Sequence, residues 1–134
     1  WRNNDSIYGL LLWLAGDEYQ AKYAAFALIA AAAVWMMRWP VERASAGIIA
    51  TVLLVSANCH PWYLTWFTPL LAWVRWPPLL VWQTLMPLAY VVLIDWRARG
   101  VWEGSTAVRW WIWVPVYTAM AMWIYRGGRS AILK

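Results

Sequence analysis

Cysteine, histidine and charge are all scarce in this chain. Its 134 residues include one cysteine and one histidine, and charged residues make up 13%. A single cysteine excludes an internal disulfide, and with a single histidine it excludes a zinc site built from those two residue types. The charged share is about half that of an ordinary soluble domain, so a soluble globular protein is a poor fit.

Apolar and aromatic residues take the place of the missing charge. Hydrophobic residues make up 64% of the chain, and tryptophan occurs 15 times. A domain this small cannot bury so much apolar surface in a core of its own. We therefore predict a single all-α, polytopic membrane domain with about 4–5 transmembrane or re-entrant helices and an interfacial helix at its amino terminus.

The basic residues point to lipid as a partner. The net charge is +5, but the lysines and arginines lie singly between apolar runs and do not cluster. We therefore expect them to contact the anionic headgroups of a bilayer, and we expect no nucleic-acid partner.

Apolar stretches and polar breaks divide the domain into segments. A helix that crosses the hydrocarbon core needs about 20 apolar residues. The pattern predicts an interfacial segment at 1–18, spans at 19–38, 77–95 and 110–126, and an extracytoplasmic loop at 96–109. Pro87 lies inside the second of these spans and predicts a kink there.

The region 44–74 contains no charged residue and has "NCHPW" in its middle. As one helix it would be about 46 Å long, which exceeds the thickness of the membrane. Two arms, 44–59 and 62–75, folded back at "HPWY" fit better. Two alternatives stay open, since each arm is short: both arms cross the membrane, or they form a re-entrant hairpin.

The charge distribution gives an orientation. Six basic residues fall on the face that contains Arg38, Arg75 and Arg126, against four on the other face. The positive-inside rule places the first face and the carboxy terminus in the cytoplasm of a bacterial inner membrane, and the HPWY turn outside. Most tryptophans fall near predicted span ends, as expected for an aromatic belt, but Trp62 and Trp66 flank the only histidine.

His60 is the first candidate site residue, because an ionisable group near membrane depth usually faces a cavity or a partner. Three interpretations stay open. It contacts a substrate or its phosphate, it ligates a haem or chlorophyll, or it is a histidine in a wet turn bonded to backbone.

Other polar and aromatic residues on the same predicted face are candidates for substrate binding. Asn58 either satisfies the broken backbone or joins a site, and Trp62 and Tyr63 either stack on a sugar or prenyl chain or anchor the turn at the interface. Asn4 and Asp5 are either helix-capping residues or site residues.

Three arginines on that face are candidates for anion binding. Arg97, Arg99 and Arg109 either bind a phosphate, whose oxygens match a guanidinium fork, or meet lipid headgroups.

Four stretches carry a resemblance to a known family. "SANCHPWYLTWFTPLLAW" is similar to a motif in the carboxy-terminal half of bacterial GT-C-type, polyprenol-phosphate-sugar-dependent, mannosyltransferase-like membrane proteins. "NNDSIYGLL", "LMPLAYVVLIDWRARGVWEG" and "WWIWVPVYTAMAMW" resemble further segments of those proteins. In the last stretch, Ile112 and Trp113 stand where the family often has an acidic-aromatic pair.

The resemblance implies the last third of a hexosyl- or mannosyltransferase that uses a polyprenyl-phosphate sugar. Its acidic catalytic base is expected outside this chain, in a loop that would precede Trp1. No cofactor is firmly implied, although an enzyme of this kind could use a divalent metal. The alternative is a non-catalytic small subunit of a respiratory, photosynthetic or transport complex that packs against lipid, pigment or partner helices. The start at Trp1 predicts either a processed subunit or a carboxy-terminal piece.

Overall fold

The computed structural model describes residues 4–102 and 105–128, and within them every regular element is helical. The prediction of an all-α chain is confirmed for these residues. Positions 1–3, 103 and 104 of the predicted interfacial segment and loop lie outside them. The α-helices are α1 (Ile7–Ala15), α2 (Glu18–Met36), α3 (Val41–Leu54), α4 (Pro77–Leu85), α5 (Val92–Arg99) and α6 (Thr106–Trp123). Short 3₁₀ segments cover Pro61–Trp66, Thr68–Ala72 and Met86–Val91, and a short π-helical segment covers Ile124–Gly128.

Helix α4, the 3₁₀ segment Met86–Val91 and helix α5 follow one another without a break. Together they form a 23-residue helix, Pro77–Arg99, which is the one described helix that is both long and apolar enough to cross a membrane. The 3₁₀ segment has Pro87 at its amino-terminal end. Proline has no N–H to donate in the α-helical pattern, so the local change of helix type falls where proline is expected to disturb the helix.

A tight turn connects α1 to α2. Gly16 ends α1 in the left-handed region at φ 70°, and its N–H donates to the carbonyl of Leu12. Asp17 then caps α2, and its carboxylate accepts from the N–H of Gln20 at 2.9 Å. The turn folds α1 back onto α2, and small side chains such as Ala21 and Ala25 are buried where these helices pack.

The chain breaks after α3, as the polar cluster predicts. The hydroxyl of Ser56 donates to the carbonyl of Asn58 at 2.7 Å and accepts from its N–H at 3.2 Å. His60 is extended, with φ −86° and ψ 150°, because the following residue is Pro61.

The second predicted arm, 62–75, forms two 3₁₀ segments and no α-helix. Each segment has a proline in its first turn, and Phe67 separates the two. The side chain of Thr68 also competes for the backbone, since its hydroxyl donates to the carbonyl of Leu64 at 2.8 Å. Both effects favour short, tight turns over a continuous α-helix.

Helices α4 and α6 pack together around Trp82, whose side chain is 1% exposed. Its ring lies 5.7 Å from that of Phe67 and 5.4 Å from that of Trp113, measured between centroids. This packing gives the molecule two ends. We call the end formed by residues 4–6, 56–63, 86–91 and 105–109 the His60 end, and the end formed by 35–47, 74–79 and 120–126 the Trp76 end.

Candidate functional site

A partly buried ion pair joins the two segments of the His60 end that are farthest apart in sequence. The guanidinium Nη1 of Arg109 donates to Oδ1 of Asp5 at 3.0 Å, across 104 positions of sequence. The Asp5 side chain is only 3% exposed, whereas that of Arg109 is 38% exposed. The carboxylate is therefore enclosed, and the guanidinium keeps one side open.

The residues around Asp5 hold its carboxylate in place. Asn4 is buried and adopts φ 53°, a left-handed conformation that asparagine tolerates better than most residues. Its Nδ2 donates to the sulfur of Met86 at 3.2 Å. Gly9 lies beneath the carboxylate, because a Cβ at that position would stand 2.8 Å from Oδ2 of Asp5.

A cavity of about 620 Å³ opens beside this pair. Asp5 and Arg109 contribute its charged groups, and Trp110, Trp113 and Tyr117 contribute aromatic surface from α6. The hydroxyl of Tyr117 is hydrogen bonded to that of Ser6, which ties α6 to the amino terminus of α1. The result is a largely apolar cavity with the half-open guanidinium of Arg109 in its wall. Such a composition suits an amphiphilic anion.

His60 lies in an aromatic cluster at the same end of the molecule. Its ring is parallel to that of Trp62, with centroids 4.2 Å apart and an angle of 5° between the planes. Tyr63 meets His60 edge to face at 5.4 Å, and Trp62 continues the stack to Tyr90 at 6.3 Å. His60 is 5% exposed, while Trp62 is 49% exposed, so Trp62 presents the open surface of this cluster.

The 3₁₀ segment Met86–Val91 connects the aromatic cluster to the ion pair. Trp62 stacks on Tyr90 of this segment, and Asn4 contacts Met86. Two groups of predicted site residues that are far apart in sequence thus converge on one structural element.

Burial lowers the pKa of His60 below its ordinary value of 6.5. The folded protein therefore keeps this ring neutral at a pH where the unfolded chain binds a proton. We expect the free energy of unfolding to fall as the pH drops below about 6.5, and the decline to end once the folded state is protonated as well. In a His60→Gln variant this part of the pH dependence is lost. Thermal unfolding in detergent between pH 7.5 and pH 5 measures it, and an unchanged slope in the variant would contradict the assignment to His60.

Asn58, Arg97 and Arg99 are not among the residues that line the cavity. Asn58 is half-buried in the turn, where its backbone bonds with Ser56. Arg99 pairs with Asp95 at 2.7 Å along the exposed face of α5, and Arg97 is exposed on the same helix. Neither arginine lines the cavity, so only Arg109 of the three contributes to it.

Sequence reasoning missed several residues of this cavity. Ser6, Gly9 and Tyr117 were not singled out as site residues, and Trp110 was assigned to the interfacial belt. Their roles depend on the contact of α1 with α6, which no local pattern encodes. The one available signal was the "NDS" tripeptide before a glycine-containing helix.

Comparisons with protein-family models, with curated proteins and with solved structures give no significant match to this chain. Among residues 4–102 and 105–128, no group of three or more His, Cys, Asp or Glu side chains is placed to hold a metal ion. Over the residues that it describes, the structure is thus all-helical, with one helix long and apolar enough to cross a membrane and an ion pair beside an aromatic cavity.

Proposed function

We propose that this chain is a polytopic membrane domain that forms part of the pocket of a GT-C-like glycosyltransferase. In this proposal the His60 end is extracytoplasmic and the pocket takes a polyprenyl-phosphate-linked sugar. The observation that carries the proposal is the half-open guanidinium of Arg109 in the wall of the aromatic cavity. The resemblance of the HPWY segment supports it independently.

The cavity has the chemistry that such a ligand requires. A polyprenyl phosphate combines a long apolar chain with a compact anion, and the cavity combines aromatic walls with the guanidinium of Arg109. Asp5 fixes the guanidinium in one orientation and leaves its solvent side available. Exposed indole rings such as those of Trp62 and Trp110 provide flat surfaces on which a sugar ring can pack.

The chemistry proposed for the complete enzyme is a displacement at the anomeric carbon. An acceptor hydroxyl loses its proton to a base, its oxygen bonds to the anomeric carbon, and the bond from that carbon to the phosphate oxygen breaks. Arg109 would stabilise the polyprenyl phosphate as it leaves with the bonding electron pair. The base is expected to lie outside this chain.

Binding of a polyprenyl phosphate to the chain in lipid nanodiscs tests the proposal. We expect the phosphate to bind at least about tenfold more tightly than the corresponding polyprenol, because a charge-assisted contact to phosphate is among the strong hydrogen bonds. Arg109→Gln should remove most of this preference, and Arg109→Lys should retain part of it. Arg97→Gln, a charge change away from the cavity, is the matched control.

Equal affinity for phosphate and alcohol, or an equal loss in the Arg97 control, would contradict the proposed site.

The second candidate function, a non-catalytic subunit, would then be favoured. It is supported by α2, where Tyr19, Tyr23, Phe26 and Val34 form an exposed apolar stripe. Such a stripe on one helix fits lipid or a partner helix. Ligation of a haem or chlorophyll by His60 stays a prediction of the sequence.

A further inference from the structure

The Trp76 end contains a second cavity, of about 440 Å³, which is separate from the Asp5–Arg109 site. Its walls come from α2, α3, α4 and α6 and include Met36, Trp39, Trp76, Leu79 and Trp123. Trp39 and Trp76 meet edge to face at 6.0 Å, and Trp76 and Trp123 lie 5.7 Å apart. These three rings pack against one another, so each has a fixed neighbour in the wall of the cavity.

The lining of this cavity suits hydrocarbon. Among the described lining residues Thr51 alone carries a hydroxyl, and this hydroxyl donates to the carbonyl of Gly47 within α3 at 2.8 Å. Its proton is therefore already used inside the helix. Most of the lining consists of aliphatic and indole carbon, which favours an apolar occupant.

The rim of the same cavity is basic. Arg38 is next to Trp39 in the chain, Arg75 is next to Trp76, and Arg126 follows Ile124 by two residues. These three arginines are exposed. In the segments 35–47, 74–79 and 120–126 there are four arginines and one acidic residue, Glu42. An occupant with an apolar tail and an anionic head would thus match both the lining and the rim.

The position of the cavity also favours a lipid. Pro78 and Leu79, at the start of the apolar helix Pro77–Arg99, contribute to its wall. If that helix crosses the bilayer, its first turn lies at the level of the headgroups, where an acyl chain can enter the cavity from the side. We propose that the cavity at the Trp76 end seats one acyl chain of an anionic phospholipid, with its headgroup on Arg38, Arg75 and Arg126. This inference rests on the membrane placement proposed above.

Lipid-dependent stability tests this inference. The purified full chain in neutral detergent is titrated with phosphatidylglycerol or with phosphatidylcholine of the same acyl chains, and apparent affinity is read from the rise in Tm. We expect phosphatidylglycerol to bind on the order of a hundredfold more tightly than phosphatidylcholine, since each of the three arginines near the anionic headgroup is worth about a fivefold gain. Glycerophosphoglycerol, which is the same headgroup without tails, should not raise Tm.

Two double variants identify the rim. Arg75→Gln/Arg126→Gln leaves only Arg38 and should reduce the preference for phosphatidylglycerol to about fivefold. Arg97→Gln/Arg99→Gln removes the same charge from α5, away from this cavity, and should leave the preference intact. An equal Tm rise with both phospholipids would overturn the anionic seat but leave the membrane placement standing. No rise with either lipid would overturn both. A rise in Tm with glycerophosphoglycerol alone would also overturn the proposed lipid site. So would an equal loss of the preference for phosphatidylglycerol in the two double variants.

Discussion

Replacement of Arg109 by leucine is expected to lower the free energy of unfolding by about 2–3 kcal/mol. The cost comes from the carboxylate of Asp5, which is 3% exposed and would lose its contact with the Arg109 guanidinium while remaining enclosed. Asp5→Asn should cost less, since the Arg109 side chain is 38% exposed and can turn toward solvent. Reversible unfolding in detergent, followed by far-ultraviolet circular dichroism, measures both variants.

The double variant Asp5→Asn/Arg109→Leu is the control for this ion pair. It removes both charges, so it should be more stable than Arg109→Leu alone, and the difference gives the coupling between the two side chains. A double variant whose loss equals the sum of the single losses would show that the contact at 3.0 Å contributes nothing.

Gly9→Ala is expected to destabilise the protein by about 1–2 kcal/mol, although alanine is ordinarily the better helix former. The new methyl would stand 2.8 Å from Oδ2 of Asp5 and 3.4 Å from its Cγ. The Asp5 side chain is short and is held by Arg109, so the carboxylate cannot move aside without losing that contact. The melting temperature and the apparent affinity for polyprenyl phosphate should both fall.

Gly47→Ala is the matched control, because Gly47 also lies within a helix and an added methyl there would also meet a side chain. Its added methyl would meet the sulfur and terminal carbon of Met36, at 2.7 and 2.9 Å. These atoms are at the end of a flexible side chain, so we expect a smaller loss or a slight gain. In an Asp5→Ala background, Gly9→Ala should become stabilising. Continued destabilisation in that background would show that Asp5 is not the obstacle.

Some features of this fold can be read from local sequence. The all-helical character follows from composition, and the break at "NCHPW" follows from polar residues before a proline. The change to 3₁₀ geometry at Met86–Val91 coincides with Pro87. In each case the cause and its effect lie within a few residues, so the pattern is visible in a single sequence.

The tryptophans show where local reasoning ended. Their spacing near span ends predicts an aromatic belt, and Trp73 and Trp110 are exposed, as such a position requires. Trp76, however, is 9% exposed and packs between Trp39 and Trp123 at a cavity wall. A tryptophan near a helix end can anchor an interface or pack against another helix, and its spacing in the sequence is the same in both cases. Only the presence of a neighbouring ring in the fold distinguishes the two.

The ion pair could not be predicted from the sequence, although both of its members were named as candidates. Asp5 was considered as a cap or a site residue, and Arg109 as a ligand of phosphate or lipid. Their contact spans 104 positions and depends on how α1 lies against α6. The local sequence around a charged residue does not specify which remote residue it pairs with, so only the tertiary packing identifies the partner.

The 3₁₀ segment at Met86–Val91 also has a consequence for the thickness of bilayer that the helix fits. Residues 77–94, which carry no charge, would extend about 27 Å as a regular α-helix. Six residues in 3₁₀ geometry rise by about 2.0 Å each, and the same stretch then reaches about 30 Å. That length is about the hydrocarbon thickness of a typical bilayer, so the change of helix type makes the uncharged stretch long enough to cross it.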